Sequence, residues 1–529
     1  MIFKRFLLIT VCAALAAGCA LGPNYKRPDL DLPTQNSEED FSVFQNYQWW
    51  EMFQDEDLNK LETQALQFNQ DLRQAIARVD QARAGVVSAI ADQLPSIGLQ
   101  AGSGRAGNYY GSGQTPSTGT AVAAFELDLW GKYRRLTEAA RAQLLSTSAA
   151  KDTVLLSLTA QVATAYFTLR MLDAQLDIAN QTLDSRLESV RIYNSRYDAG
   201  VIAEVDLRRV EADIYSVAAQ AKDLELQVAQ AETALAVLVG DSPREMIENK
   251  RERQGHLRDV VVVPQVPQGI PAQFLANRPD VRSAEGQLIA ANAHIGVARA
   301  AYFPDISLTG ALGYASNDLS QLFRSQSGIW AMAGSVSQPI FAGGKIVAQN
   351  KAAKAQREEM LAAYQKAVQA AFKEALDALK ANKINRETFD IRLKQTMALR
   401  RSYDLTRKQE DAGLVGTMEV LDVERNLLQA EMSLAQARQT ELVGLVNLSK
   451  ALGGGWNEKC GFGPFEQQLR DEAEIANEQI DAQTDAQLAA QAQAEMQGQS
   501  AAEPQAQTTV ETQNASPAQP TDNTAQTSK

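Results

Sequence analysis

The chain repeats itself. Asp198-Ala199-Gly200-Val201-Ile202 returns as Asp411-Ala412-Gly413-Leu414-Val415, and this 213-residue register continues ungapped for about forty residues. Val210-Glu211 falls on Val423-Glu424, Leu235 on Leu448 and Gly240 on Gly453. Upstream, Leu94-Pro95-Ser96-Ile97 matches Phe303-Pro304-Asp305-Ile306 at a shift of 209. Leu129-Trp130-Gly131-Lys132 is similar to Ile340-Phe341-Ala342-Gly343-Gly344-Lys345, with the lysines again 213 apart. The drift places a four-residue insertion between two Gly/Ser-rich stretches. A period this long is not that of a solenoid. It predicts two structurally equivalent halves in one doubled unit.

Composition narrows the chemistry. A net charge of −13 argues against a nucleic-acid partner. Abundant Ala, Gln and Leu with few aromatics favour long helices. Two histidines, His256 and His294, and three cysteines, Cys12, Cys19 and Cys460, are too few for a zinc site, a thiol protease or a disulfide framework. Gly343-Gly344-Lys345 is not a phosphate loop, because Pro339 stands five before Gly344 and Ile346 replaces the required Ser/Thr. Asn277-Arg278-Pro279-Asp280 reads as a helix start, with Pro279 where its missing N–H costs nothing. With no nucleophile–base set, metal cluster or cofactor loop, the chain is read as no enzyme and as needing no cofactor.

The start of the chain is a targeting segment. Lys4 and Arg5 precede an apolar run from Phe6 to Ala17, too short to span a bilayer, which reads as a secretory signal over 1–18. Leu15-Ala16-Ala17-Gly18-Cys19 resembles a bacterial lipoprotein cleavage box, although Leu lies one place further from the cysteine than usual. That resemblance implies a lipid on Cys19, and Ala20 in place of Asp after it favours the outer membrane.

From 19 to 56, Pro28 and Pro33 break any helical period and predict an extended strap. The first repeat spans 57–240 and the second 272–456, joined by a linker over 241–271. Each repeat reads as a helix, a β-hairpin, a long helix and a returning helix. The opening helices are placed at Asp57–Gln93 and about Ala272–Ala301, the long ones at about Tyr133–Arg196 and Lys345–Gln409. The returning ones run over about Glu204–Val239 and Thr417–Leu452. Leu155, Leu158, Val162, Ala165, Leu169, Leu172, Leu176, Ala179 and Leu183 form a heptad seam. Leu361, Tyr364, Val368, Ala371, Ala375 and Ala378 continue the same spacing in the second half. About 65 helical residues extend near 100 Å, beyond what a globular domain buries. Two short helices end to end match one long helix, the geometry of a tube wall of antiparallel rods.

The strands alternate. Ile97, Leu99 and Ala101, then Ala121, Ala123, Phe125, Leu127 and Leu129, flank a Gly/Ser/Thr loop. Ile306, Leu308, Gly310, Leu312 and Tyr314, then Trp330, Met332, Gly334 and Val336, repeat the hairpin. Such strands suit a membrane barrel or a small soluble sheet, and four strands close a barrel only in an oligomer. From 457 to 529 a Gln/Ala-rich composition without apolar period predicts a disordered tail.

Together these segments resemble the TolC superfamily, in particular the OprM- and NodT-type outer-membrane efflux lipoproteins. The resemblance covers about Cys19 to Trp456. It rests on Cys19-Ala-Leu-Gly-Pro-Asn-Tyr-Lys-Arg-Pro28, Asn277-Arg-Pro-Asp280, Tyr302-Phe-Pro-Asp305, Pro339-Ile-Phe-Ala-Gly-Gly-Lys345 and Ala451-Leu-Gly-Gly-Gly-Trp456 in order on the duplicated frame. It implies an α+β membrane channel: a homotrimer with a twelve-stranded outer-membrane β-barrel, four strands per chain, above a periplasmic α-helical barrel. It implies a lipid-anchored channel of a Gram-negative bacterium that passes small molecules or ions outward. A periplasmic adaptor and an inner-membrane RND-type pump would be its partners, with the pump choosing the cargo. The other readings are the outlet of a type I protein secretion system and, in a different class, a lipid-anchored coiled-coil scaffold. The scaffold leaves the paired strands unexplained.

The same resemblance implies a gate where the helices narrow. Family gate positions fall on Met418 and Asp422, one helical turn apart on one face. Their first-half counterparts are Val205 and Arg209, so the apolar position is kept and the acid becomes a base. An Arg209–Asp422 pair across the halves is the expectation. Adaptor contact is expected at the turns, on Gly200, Val201, Gly413 and Leu414.

Overall fold

The computed structural model describes residues 20–29, 48–104, 106–107, 113–114, 116–248 and 278–454. These lie in the first of the chain's two units, Met1–Glu458, the other being Lys459–Lys529. The signal segment 1–18, Cys19, the linker beyond 248, His256, Trp456, Cys460 and the tail lie outside the described residues.

The helices follow the duplication. α1 (Glu56–Phe68) and α2 (Gln70–Ala91) precede the first hairpin. After it come α3 (Lys132–Asp198), α4 (Glu204–Val239) and the short α5 (Pro243–Glu248). The second half carries α6 (Pro279–Ala300), α7 (Lys345–Asp411) and α8 (Thr417–Ala451). The long helices α3 and α7 have 67 residues each, 213 apart at both ends. Each starts after a glycine with left-handed backbone, Gly131 at φ 76° and Gly344 at φ 83°. Every seam residue of the first half is buried or partly buried, and Tyr364, Val368, Ala371, Ala375 and Ala378 are buried in the second.

One expectation is corrected. The segment read as a single helix over Asp57–Gln93 is two helices, because the Asn69 carboxamide caps the second. Its Oδ1 accepts from the Asp71 and Leu72 amides at 2.9 and 3.1 Å.

That cap also splices rods. Asn69 Nδ2 donates to the Leu238 carbonyl at 2.8 Å, joining the start of α2 to the end of α4. At the duplicated position, Arg278 donates to the Ala451 carbonyl at 2.8 Å, joining α6 to α8. Asn69 and Arg278 are related by the 209 shift, Leu238 and Ala451 by 213. Gly240 and Gly453 lie at the same junctions, and a β-carbon on Gly240 would meet the Phe68 carbonyl at 2.5 Å. The sequence motif around Arg278 is therefore a helix start, with Pro279 in its first turn, whose arginine also satisfies the end of α8.

The result is a four-rod wall in the order α2/α4, α3, α6/α8, α7. α3 and α6/α8 have helical neighbours on both sides. α2/α4 and α7 are its edges.

Both hairpins enter one sheet. β1 (Ser96–Ser103), β4 (Ser117–Glu126), β5 (Asp305–Ser316) and β6 (Gly328–Ser337) pair antiparallel in that order, and a two-stranded extension, β2 (Ala106–Gly107) with β3 (Gly113–Gln114), tops the first hairpin. Cross-strand rows Ile97–Ala123–Gly310–Met332 and Leu99–Ala121–Leu312–Trp330 stack on one face. Trp330 is 76 % exposed, so this apolar face has no cover among the described residues. Among the described residues β1 and β6 are open edges. No described helix is long and apolar enough to cross a membrane.

Candidate functional site: the helical tip

The end of the wall away from the sheet is built by two matched turns. Gly200 and Gly413 adopt φ 73°. Their amides close onto Tyr197 and Glu410, while Val201 and Leu414 donate back to Arg196 and Gln409. This is the helix-ending arrangement that a left-handed glycine permits. It pushes the next side chains outward: Val201 is 71 % and Leu414 75 % exposed. These are the residues the sequence places at the tip for adaptor contact.

Behind the turns lies an apolar knot of Tyr193, Leu207, Val210 and Leu421, with Val190, Ile202 and Met418 against it. Met418 thus holds α8 to the α3/α4 pair. Its counterpart Val205 is exposed, as are Arg209 and Asp422. The Tyr193 hydroxyl donates to Glu410 at 3.1 Å and the Thr417 hydroxyl to the same carboxylate oxygen at 2.7 Å, tying α3 to the α7–α8 turn.

Among the described residues the expected Arg209–Asp422 pair does not form within one chain. Asp422 instead pairs with Arg425 one turn along its own helix at 3.2 Å, and Arg425 lies 3.6 Å from Asp213 of α4. The i,i+3 spacing makes the local partner the easier one to reach.

Sequence reasoning missed the centre of this charge network. Arg186 of α3, 2 % exposed, pairs with Asp213 of α4 and, at 3.3 Å, with Glu424 of α8. Burial pushes the Glu424 carboxyl above its ordinary value against the pull of the Arg186 guanidinium. A buried ion set of this kind fixes three helices together, and removing its cation strands Glu424 and leaves Asp213 only Arg425 at 3.6 Å. The signal was in the sequence. Arg186 follows Leu183 by three, so a charge occupies the next apolar position of the seam.

Comparison with known proteins places the duplicated frame in a family. The profile of the family described as "Outer membrane efflux protein" matches residues 61–241 and 270–454, one segment in each half. The chain is 33% identical over 458 residues to the cation efflux system protein CusC of Escherichia coli strain K12, covering 85% of this chain and 99% of that one. It is 32% identical over 477 residues to the probable efflux pump outer membrane protein TtgC of Pseudomonas putida, covering 87% and 97%. Among solved structures, the Campylobacter jejuni CmeC outer membrane channel superimposes with a TM-score of 0.77 at 27% identity, over 83% of this chain and 96% of that one. The open-state MtrE outer membrane channel of Neisseria gonorrhoeae gives 0.72 at 32% identity, over 83% and 98%.

Proposed function

The chain belongs to the outer membrane efflux protein family and is an outer-membrane channel of an efflux pump, not an enzyme, and we propose that it works as a ring of three identical copies. The observation that carries the ring is the state of the edges. On α7, Leu376, Ile384, Ile391 and Leu405 are exposed, and their spacing puts them opposite the face packed on α6/α8. On α4, Tyr215, Leu226 and Val237 are exposed, eleven residues apart, opposite the face packed on α3. Two apolar edges on opposite sides of one wall, below two open strand edges, fit a head-to-tail contact that closes on itself. Three copies bring twelve strands together, enough for a barrel that abolishes the edges.

In this reading the helices form a duct below the sheet. An inner-membrane pump of RND type delivers small molecules or ions through a periplasmic adaptor docked at Val201 and Leu414, and the pump supplies the energy and the choice of cargo. Cys19 carries a lipid in the outer membrane. Met418 and Asp422, tripled by the ring, narrow the tip. Three clustered carboxylates repel, so closure calls for bases beside them, and Arg209 of a neighbouring copy is the candidate.

Heat-resistant oligomers and single-channel conductance in planar bilayers test the ring. A lipid-anchored scaffold would conduct nothing. Charge reversal, Arg209→Glu, should raise conductance of the closed channel several-fold; a folded oligomer with unchanged conductance removes Arg209 from the gate.

A further inference from the structure

The first described residues do more than lie over the surface. Leu21 donates its amide to the Trp130 carbonyl at 3.1 Å, placing it at the root of the sheet, where Trp130 stacks on Phe303 with centroids 4.7 Å apart. Arg135 of α3, buried, spends its guanidinium on the strap. Its Nε donates to Leu21 O at 3.1 Å, and one terminal nitrogen donates to Gly22 O at 3.4 Å and Asn24 Oδ1 at 2.9 Å. The other terminal nitrogen pairs with Glu138 at 2.6 Å. From α6, Asn292 donates to Pro23 O at 2.8 Å. Glu285 accepts from the Tyr25 hydroxyl at 3.0 Å and from Arg27 through both carboxylate oxygens.

Shape reinforces the contacts. A β-carbon on Gly296 would stand 2.5 Å from Leu21 O, and one on Gly131 would stand 2.6 Å from the Ala20 α-carbon. Gly22, at φ 108°, lies directly on Gly296. Half of these hydrogen bonds hold the strap's backbone, and the other half engage the Asn24, Tyr25 and Arg27 side chains, which fix which residue lies where.

The duplication supplies the control. Arg135 corresponds to Ala348 at the 213 shift. Glu285, Asn292 and Gly296 correspond to Ile76, Arg83 and Val87 at the 209 shift. Ala348, Ile76 and Val87 have no hydrogen-bonding side chain, and Arg83 pairs with Asp80 of its own helix. Among the described residues the other helix junction therefore lacks an equivalent socket.

We propose that residues 20–27 are a keystone seated in a socket across the two repeats, with Arg135 as the residue that sets its register, and that assembly of the channel waits on this seating. Without the strap, three buried polar side chains, Arg135, Glu285 and Asn292, lose acceptors or donors that nothing apolar replaces. Arg135 and Glu285 lie on α3 and α6, the junction between the repeats, so the loss falls where the halves meet beneath the sheet. The proposal rests on the anchored N terminus above only for its purpose: the strap begins one residue after Cys19, so its seating ties the anchor to the sheet root.

A charge exchange in the full chain tests it. Arg27→Glu and Glu285→Arg singly should each reduce heat-resistant oligomer and bilayer conductance about tenfold, and the double exchange should restore both to near wild type. Arg135→Met should give the same loss while Cys19 remains acylated, read by the mass of the N-terminal peptide. Wild-type assembly in Arg27→Glu and Arg135→Met, or no rescue by the exchange, overturns the keystone. An unmodified Cys19 in the wild type would instead overturn the anchor and leave the exchange to decide the socket.

Discussion

The two spliced rods are made alike and placed differently. In α2/α4 the splice is Asn69 to the Leu238 carbonyl; in α6/α8 it is Arg278 to the Ala451 carbonyl, at duplicated positions. Yet α6/α8 lies between α3 and α7, whereas α2/α4 has α3 on one side and, among the described residues, no long helix on the other. The burial follows. α6 buries Val281, Glu285, Leu288, Ala293, Ile295 and Gly296, among others, while α2 buries only Leu72, Ala75 and Val79. Gene-scale doubling gave two equal pieces, and the fold used one inside the wall and one at its edge. An edge rod equal in build to an interior rod is missing a neighbour. The interior rod shows what that neighbour resembles: a long helix related to α3, which is what α7 of another copy offers.

The largest effect should come from spoiling that missing contact. Ile384→Asp with Ile391→Asp places two charges on the outer face of α7, where each isoleucine would otherwise bury about 1.5–3 kcal/mol of apolar surface, three times per ring. Light scattering should find monomer where the proposed ring would give a trimer, while far-ultraviolet circular dichroism stays helical. A trimer that tolerates both charges would mean that this face of α7 is not the edge of the ring.

A smaller effect is expected inside the wall, at the tip. Arg186 of α3 corresponds to Leu399 of α7, so the interior helix carries a buried cation where the edge helix carries an apolar residue. Arg186→Leu makes the two halves alike and leaves Asp213 and Glu424 without their shared partner, at about 3–5 kcal/mol for a broken buried set. The ring should still assemble, because the sheet root is far along α3. The tip should loosen, seen as faster protease cleavage near Gly200 and higher conductance. Unchanged cleavage would mean that the apolar knot around Tyr193 holds the tip by itself.

The long and returning helices were legible because a doubled sequence reads each boundary twice and because glycines mark both ends of the long ones. α4 begins at Glu204 and α8 at Thr417, as the repeat predicts. The turn residues Gly200, Val201, Gly413 and Leu414 were legible for the same reason. What stayed hidden depends on partners far away in sequence. Asn69 breaks a helix whose period continues through it, and its partner Leu238 is 169 residues distant. Arg135 looks like any first-turn cation until the strap lies on it. Asp422 found Arg425 on its own helix rather than Arg209 across the halves, since a repeat reports which positions correspond and not which ones touch.

The smallest effect belongs to Glu62, which separates the stability of the edge rod from that of the ring. Glu62 is fully buried on α1, which packs on α3 and α4, and neither carboxyl oxygen has a hydrogen-bond partner. Burial pushes its pKa well above the ordinary glutamate value. The folded chain therefore holds a proton that the unfolded chain releases above about pH 4.3. Its contribution is most favourable below that pH and declines as pH rises toward the raised folded value. Glu62→Gln keeps the shape without the titration, so the variant should melt about 2 °C higher than wild type at pH 8, with the difference vanishing near pH 4. Because Glu62 is already enclosed within a single chain, the same pH-dependent difference should persist in the Ile384→Asp, Ile391→Asp monomer. A difference seen only in the trimer would show that the neighbouring copy, and not α1's own packing, sets the environment of the edge rod.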